Sequence, residues 1–321
     1  MAFNWQTFRT RALTAVIFVT VMLTGLLWNE WSFLILFSII HYGCWWEYLK
    51  LVEKIKHTQF HIYTKLGFML LGYGLMLRFC GPAYHISNYG LKENLSLPIS
   101  AAGFGLLVIG IFQKNKVELK SFAVAGLGLL YISLSWGLMI NLRSGNLWLP
   151  HDIMERIHNK TVSTVELVDA SLFAAKNLLV CLLVIFTMWL NDTMAYLVGS
   201  LIGKTPLTKI SPKKTWEGTI GGIILGVIII GFAFSSLDLD VVAPGYHFSI
   251  SKDFWYVAAA IAAITGTFGD LLESKLKRMA GVKDSGHIMP GHGGFLDRFD
   301  SLLIATPFVW LYVNLFLTIL H

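Results

Sequence analysis

Charged side chains are scarce in this sequence. Asp, Glu, Lys and Arg together make up 14% of its 321 residues, whereas about 25% is typical of soluble domains. Hydrophobic residues make up 55%, and the mean hydropathy is +0.63. This composition excludes a soluble globular enzyme, a disordered chain and a fibrous repeat, and it favours a polytopic membrane protein.

Cysteine is also rare, and Cys44, Cys80 and Cys181 lie within or beside apolar runs. Their odd number argues against a disulfide framework, and the absence of a CxxC pair argues against a metal knuckle. The sequence has no internal repeat and no long polar domain. The formal net charge of +6 would suit nucleic acid, but in a membrane protein the placement of basic residues matters more than their sum. We therefore expect no nucleic-acid partner.

Apolar runs dominate what is present. A membrane-spanning helix needs about 20 apolar residues, or about 17 at the short end. Nine runs qualify, at residues 12–28, 31–49, 65–81, 97–113, 121–141, 177–200, 218–236, 254–272 and 301–320. The sequence therefore predicts an all-α polytopic membrane protein. No small-x-small cleavage site follows the first run, so we expect it to be a retained helix and not a signal peptide.

The distribution of lysine and arginine predicts the orientation. With a cytosolic N-terminus, the cytosolic segments hold 18 of these residues and the opposite side holds 7, which agrees with the positive-inside rule. This topology gives three regions, which are N-terminal helices (1–142), a non-cytosolic connecting segment (143–176) and a C-terminal catalytic region (177–321). The last region has two cytosolic loops, 203–217 and 273–300.

Residues 270–300 combine groups that a plain loop does not need. They include five basic side chains, four aspartates and five glycines. Lys and Arg bind phosphate oxygens, and glycine lets backbone N–H groups approach an anion closely. The aspartates would repel phosphate unless a divalent cation lay between them. The combination therefore predicts Mg²⁺ bridging to substrate phosphates, as phosphoryl or nucleotidyl transfer requires.

Glu47, Asp192 and Asp270 are the acidic residues within the nine predicted spans. Ionisable groups in spans are costly and usually functional. Asp270 ends a predicted helix, where the helix dipole disfavours a bare carboxylate and favours a nearby cation. If that helix continues, Asp270, Ser274 and Arg278 (or Lys277) share one face. Asp192 could instead be a polar partner between helices.

The residues of this second loop resemble the signature of the phosphatidate cytidylyltransferases, also called CDP-diacylglycerol synthases. The matching positions are Ser274 to Arg278, Lys283-Asp284, and His292-Gly-Gly-Phe-Leu-Asp-Arg-Phe-Asp300. Residues 191–199 and 203–218 are similar to a second block of the family, so the resemblance covers the C-terminal half. Met289 departs conservatively from the usual Leu, Ile or Phe. The N-terminal half matches only around Glu47-Tyr48.

The resemblance implies Mg²⁺-dependent nucleotidyl transfer, in which CTP and phosphatidate give CDP-diacylglycerol and pyrophosphate. It implies Asp270 and Asp297 as the first metal ligands and Asp284 and Asp300 as the next. It implies that catalysis also uses Lys277, Arg278 and Arg298. It places substrate binding on Ser274, Lys283, His292, Gly293, Gly294, Lys213, Lys214 and Asp192.

The family also implies a setting for this chemistry. The expected partners are phosphatidate, CTP and the lipid bilayer; a second cation is left open, and a homodimer is compatible with the family. The compact length and the lack of an extra N-terminal domain suggest a bacterial inner membrane, with the active site facing the cytoplasm. The pathway would be phospholipid biosynthesis.

Two alternatives use other chemistry. A CTP-dependent polyprenol or phytol kinase, or a transferase acting on an ether lipid, would share the fold but not the whole signature. A transporter would place ionisable groups near the mid-plane, often in both halves of a repeat, whereas the acidic residues here gather at one face. A CDP-alcohol phosphotransferase would need an Asp-Gly-x-x-Ala-Arg motif, which the sequence lacks.

Overall fold

The architecture was taken from a computed structural model of the chain. The structure describes residues 5–81, 83–113, 118–145, 164–237, 241–243, 246–248, 250–288 and 293–320.

Helices provide nearly all of the regular structure in these ranges. In chain order they are α1 (Trp5–Leu27), α2 (Glu30–Lys56), α3 (Ile62–Leu77), α4 (Leu91–Asn94), α5 (Ser96–Ile111), α6 (Leu119–Gly126), α7 (Ser135–Ser144), α8 (Thr164–Ile202), α9 (Trp216–Leu237), α10 (Lys252–Met279) and α11 (Leu296–Leu320). A π-helical turn, Leu129–Leu134, lies between α6 and α7. Two short antiparallel hairpins pair β1 (His85–Ile86) with β2 (Tyr89–Gly90) and β3 (Val241–Ala243) with β4 (Tyr246–Phe248).

Six of the described helical segments are long and apolar enough to cross a membrane. They are Leu91–Ile111, Leu119–Ser144, Ala174–Ile202, Trp216–Leu237, Lys252–Met279 and Leu296–Thr318. Each coincides with a predicted span, so the helical polytopic membrane architecture is confirmed. The other three predicted spans fall on α1, α2 and α3. The count of nine spans and the cytosolic N-terminus stay predictions.

Two of those three helices contain apolar stretches that are shorter than a full span, Leu13–Leu27 and Ile62–Leu77. Helix α2 is long, but polar groups interrupt its apolar character. His41 and Glu47 both lie within it and are buried inside the protein. These two polar side chains lower the mean hydropathy of α2, although both pack inside the protein and are shielded from lipid.

Helix α8 is longer than the predicted span. It has 39 residues, Thr164–Ile202, whereas the prediction began the span at residue 177 and treated 143–176 as a connecting segment. Residues 164–176 are thus helical and continuous with the span. They contain neither Gly nor Pro, so nothing local interrupts the helix. The remainder of that predicted segment, residues 146–163, lies outside the described residues.

The second predicted loop, 273–300, is shorter in the structure. Helix α10 continues to Met279, and α11 already begins at Leu296. The predicted continuation of the helix through Asp270, Ser274 and Arg278 is therefore confirmed, because one uninterrupted helix carries all three residues. The end of α10 is closed by the backbone N–H of Val282, which donates to the carbonyl of Lys277 at 2.9 Å.

The chain divides into two compact units. The first comprises residues 1–140 and 270–303, and the second comprises residues 141–269 and 304–321. The predicted region boundaries at residues 142 and 177 follow the membrane topology, whereas the two units are groups of residues that pack together. The division matters for function because the first unit combines the N-terminal helices with the segment that carries the family signature.

The first unit has an aromatic core around α2. Trp45 and Trp136 are fully buried. The Trp45 Nε1 donates to Ser133 Oγ at 2.8 Å, in the π-helical turn. The start of α11 is held against this core, since the ring of Phe299 meets Trp136 edge-on at 5.8 Å. The Ser135 Oγ also donates to the carbonyl of Leu303 at 2.6 Å. These contacts fix the first turns of α11, where the candidate site lies.

The second unit is built around α8, α9 and the later part of α11. Helices α8 and α9 pack along their length. The indole N–H of Trp310 donates to Asn141 Oδ1 at 2.8 Å, and the ring of Phe254 stacks on Tyr312 at 5.2 Å. The loop between α8 and α9 is an ordered turn, since the Glu217 carboxylate accepts the N–H of Thr205 and its hydroxyl.

Candidate active site

Several polar side chains of the first unit lie close together, and we call them the polar cluster. Most of them come from three parts of the signature segment, residues 270–300. The C-terminal turns of α10 supply Glu273 and Lys277, the connecting segment supplies Ser285, and the first turn of α11 supplies Asp297 and Asp300. Helix α2 adds Glu47 from the N-terminal half of the sequence. Residues 289–292 lie outside the described residues, so the predicted role of His292 stays a prediction.

Asp297 is the centre of this cluster. Its Oδ1 accepts a hydrogen bond from Lys277 Nζ at 2.7 Å. Its Oδ2 accepts from the Ser285 N–H at 2.9 Å, the Ser285 hydroxyl at 2.8 Å and the Gly294 N–H at 2.8 Å. A carboxylate in the first turn of a helix also interacts favourably with the helix dipole. Asp297 is therefore held in one orientation, and the Gly294 N–H that was predicted to bind phosphate is directed at it.

Lys277 joins α10 to α11. Its Nζ lies 2.5 Å from Glu273 Oε2 and 2.7 Å from Asp297 Oδ1. Glu273 is fully buried, and Asp297 and Asp300 lie within electrostatic range of it. Lys277 thus links a carboxylate of α10 to a carboxylate of α11 within one polar cluster.

The donor set can be tested against Mg²⁺. Glu273 Oε1 is buried and has no hydrogen-bond partner among the described residues. Within the same ranges no group of three or more His, Cys, Asp or Glu residues is already arranged around a metal position. Mg²⁺ is usually held by only one or two carboxylates together with substrate phosphates. Oxygen ligands are the ones that Mg²⁺ prefers, so the carboxylates present fit this ion in donor chemistry.

The other predicted metal ligands lie on either side of this centre. Asp270 is half-buried one turn before Glu273 on α10. Asp300 is buried one turn after Asp297 on α11, and its Oδ1 accepts the Ser301 N–H at 2.7 Å. Asp284 is exposed in the connecting segment. The predicted set is thus spread over both helices and the connection between them.

Most of the predicted phosphate-binding side chains lie at the surface. Arg278, Lys283 and Arg298 are exposed, and Ser274 is half-buried. Gly293 is half-buried in the left-handed region, with φ of 85°. These exposed cations border the same stretch of chain as the buried carboxylates.

The predicted residues outside the signature lie in the second unit. Asp192 is an exposed residue of α8. Lys213 is exposed and Lys214 is half-buried in the turn that precedes α9. The backbone of Lys214 closes this turn, because its N–H donates to the Ser211 carbonyl at 3.1 Å and its carbonyl accepts from the Leu207 N–H at 2.7 Å.

The sequence-based prediction missed three members of the cluster, which are Glu47, Glu273 and Ser285. Glu47 gave a signal, since it is an acidic residue within an apolar run, but nothing local tied it to a loop more than 230 residues away. Glu273 sits between Asp270 and Ser274 in the sequence and could have been found from its i,i+4 spacing to Lys277. Ser285 gave no signal, because a loop serine has no distinctive spacing.

Comparison with known proteins identifies the family of the chain. The sequence profile of the cytidylyltransferase family matches residues 9–316. A phosphatidate cytidylyltransferase of Staphylococcus saprophyticus is 32% identical over 252 residues, which cover 77% of this chain and 90% of that protein.

Two further relatives match over a shorter range. The phosphatidate cytidylyltransferase of Thermotoga maritima is 44% identical over 136 residues, 42% of this chain and 48% of that protein. The one of Synechocystis sp. is 39% identical over 148 residues, 45% of this chain and 46% of that protein. These two alignments span about half the length of the relatives. Because the family profile covers nearly the whole sequence, the chain belongs to the cytidylyltransferase family.

Proposed function

We propose that this protein is a phosphatidate cytidylyltransferase, which transfers the cytidylyl group of CTP to phosphatidate. The observation that carries this proposal is the buried carboxylate cluster around Lys277, bordered by exposed Arg and Lys side chains. Membership of the cytidylyltransferase family supports it, as do relatives that bear this name.

The reaction joins two polyanions. A phosphate oxygen of phosphatidate attacks the α-phosphorus of CTP, the bond from that phosphorus to the bridging oxygen breaks, and pyrophosphate leaves. The attacking oxygen is already anionic near neutral pH, so no strong general base is needed. Charge repulsion is the main obstacle, and fixed cationic groups together with positioning lower it.

The exposed basic residues would neutralise the substrates. Arg278, Lys283 and Arg298 would hold triphosphate or lipid phosphate, because Arg and Lys bind phosphate oxygens strongly. Lys213 and Lys214 of the second unit are proposed as further phosphate ligands. Ser274, Asp192, His292, Gly293 and Gly294 stay proposed for substrate binding.

Mg²⁺ is the proposed cofactor. Asp270 and Asp297 are the first proposed ligands, with Asp284 and Asp300 next. When bound, the ion would withdraw charge from the reacting phosphates. Ser285 and Gly294 fix the orientation of the Asp297 carboxylate, and Lys277 holds its other oxygen.

The setting of the enzyme follows from its substrates. Phosphatidate resides in the bilayer, and the apolar helices place the protein there. We propose the bacterial inner membrane, with the site facing the cytoplasm, where CTP is made. A homodimer is also proposed, on family grounds.

The test is turnover by purified protein in detergent micelles with phosphatidate, CTP labelled in the cytidine and α-phosphate, and Mg²⁺. Label entering the lipid phase together with equimolar pyrophosphate, and lost on chelation of the metal, is expected. Transfer of only the γ-phosphate to a supplied polyprenol would instead identify a kinase. Folded protein that consumes no CTP with either acceptor would refute both activities.

A further inference from the structure

We propose that Glu47 of α2 is a positioning residue of the transfer reaction, acting on Asp297 through Ser285 and the turn before α11. This inference rests on the proposed function for its kinetic part. Its structural part can be tested without turnover.

The Glu47 carboxylate is satisfied almost entirely by the signature segment. Its Oε1 accepts the Phe295 N–H at 3.0 Å. Its Oε2 accepts the Leu296 N–H at 2.9 Å and the Ser285 hydroxyl at 2.8 Å. Glu47 is only 2% exposed. A buried carboxylate is costly unless hydrogen bonds compensate it, and these three donors supply that compensation.

Ser285 connects Glu47 to the reaction centre. Its hydroxyl lies 2.8 Å from Glu47 Oε2 and also 2.8 Å from Asp297 Oδ2. A hydroxyl has one hydrogen to donate, so Ser285 donates to one of the two carboxylates at a time. The Ser285 hydroxyl therefore couples the hydrogen bonding of Asp297 to that of Glu47.

The glycines of the signature explain how the segment reaches Glu47. A Cβ on Gly286 would collide with Glu47 Oε1, and a Cβ on Gly294 would collide with both oxygens of the same carboxylate. Both positions must therefore lack a side chain if the backbone of the segment is to pack against the Glu47 carboxylate. The two glycines therefore admit the Glu47 carboxylate.

A purely structural anchor would make similar contacts, so the test needs a matched control. Glu53 lies two turns further along α2 and has the same chemistry. Its carboxylate accepts the Phe60 N–H at 2.7 Å and pairs with Lys65 at 2.8 Å. Glu53 makes these contacts away from the polar cluster. Glu47→Gln and Glu53→Gln therefore remove equivalent charges, and only the first touches the signature segment.

Two measurements separate positioning from stability. Steady-state kinetics should show that Glu47→Gln lowers kcat about 10- to 100-fold, as a small misplacement of a reacting group does. KM for CTP and phosphatidate should stay within about 3-fold, because ground-state binding is retained. Hydrogen exchange should speed up at Phe295 and Leu296 but not in α3. Glu53→Gln should keep kcat within about 2-fold of the parent and leave exchange at Leu296 unchanged.

The outcomes decide the proposal. A Glu47→Gln kcat equal to that of Glu53→Gln would overturn it, and so would lost activity with unchanged exchange at Phe295 and Leu296. Exchange that speeds up equally throughout the protein would show a structural role only, and would also overturn it. If the wild-type protein transfers no cytidylyl group, the proposed function fails, while the exchange comparison still tests whether Glu47 holds the turn.

Ser285→Ala is the second variant, for the case in which Glu47→Gln does not fold. It removes only the hydroxyl shared by the two carboxylates. We expect a lower kcat with little change in either KM, and a smaller loss than the sum of the two when it is combined with Glu47→Gln, since both changes break the connection through the hydroxyl. An unchanged kcat in Ser285→Ala would refute the link to Asp297.

Discussion

Asp297→Asn is the substitution for which the structure gives the clearest expectation. An amide has one acceptor and one donor group. Keeping its carbonyl at the Oδ2 position would preserve the bonds from Ser285 and Gly294, and its NH₂ would then face the ammonium of Lys277, 2.7 Å away in the parent. One charge-assisted hydrogen bond is lost, which is worth about 1.5–3 kcal/mol. The pair is largely shielded from water, with side-chain exposures of 14% and 9%.

The loss of this hydrogen bond should lower the rate of catalysis more than the stability of the protein. If the whole amount is realised in the transition state, kcat/KM falls about 10- to 150-fold, and further if Asp297 also binds Mg²⁺. Lys277 retains Glu273 at 2.5 Å, so the protein should remain folded. The assay is transfer of labelled CMP into lipid, with thermal unfolding in detergent measured in parallel. Glu53→Gln, which loses a comparable ion pair, is the control. Activity of Asp297→Asn within about 2-fold of the control would show that this carboxylate is not at the reaction centre.

Four other substitutions probe the remaining features. Gly294→Ala should destabilise the protein by about 1–3 kcal/mol in thermal unfolding, because its Cβ meets the Glu47 carboxylate; an unchanged melting temperature would contradict this. Lys277→Met should cost about 3–5 kcal/mol by leaving buried Glu273 unpaired, and adding Glu273→Gln should recover part of it. Lys214→Ala should raise KM for CTP or phosphatidate more than it lowers kcat; an unchanged KM removes it from substrate binding. Ser133→Ala should cost about 1–3 kcal/mol of stability and leave turnover intact, since the Ser133 hydroxyl bonds to Trp45 and His41 in the aromatic core.

Local sequence patterns were enough to predict much of the fold and the site. Apolar runs long enough to span a bilayer marked all six long apolar helices, because a bilayer imposes a minimum length on each segment. The signature carries Lys277 and Asp297, which do meet at 2.7 Å. Helix ends were less predictable. The apolar pattern placed the last helix at 301, whereas α11 begins at Leu296, since a polar first turn is stabilised by caps and the helix dipole and not by hydropathy.

The sequence by itself determined the class of protein, the approximate positions of its helices and the segment that carries most of the polar cluster. Each of these depends on composition or on neighbours within one or two helical turns. Only the tertiary structure decided that Glu47 belongs to the site, since its partners Ser285 and Leu296 are 238 and 249 residues away. It also decided that the backbone at Gly286 and Gly294 packs against the Glu47 carboxylate. Such contacts form when helices from distant parts of the chain pack together, and no local pattern records which side chains will then meet.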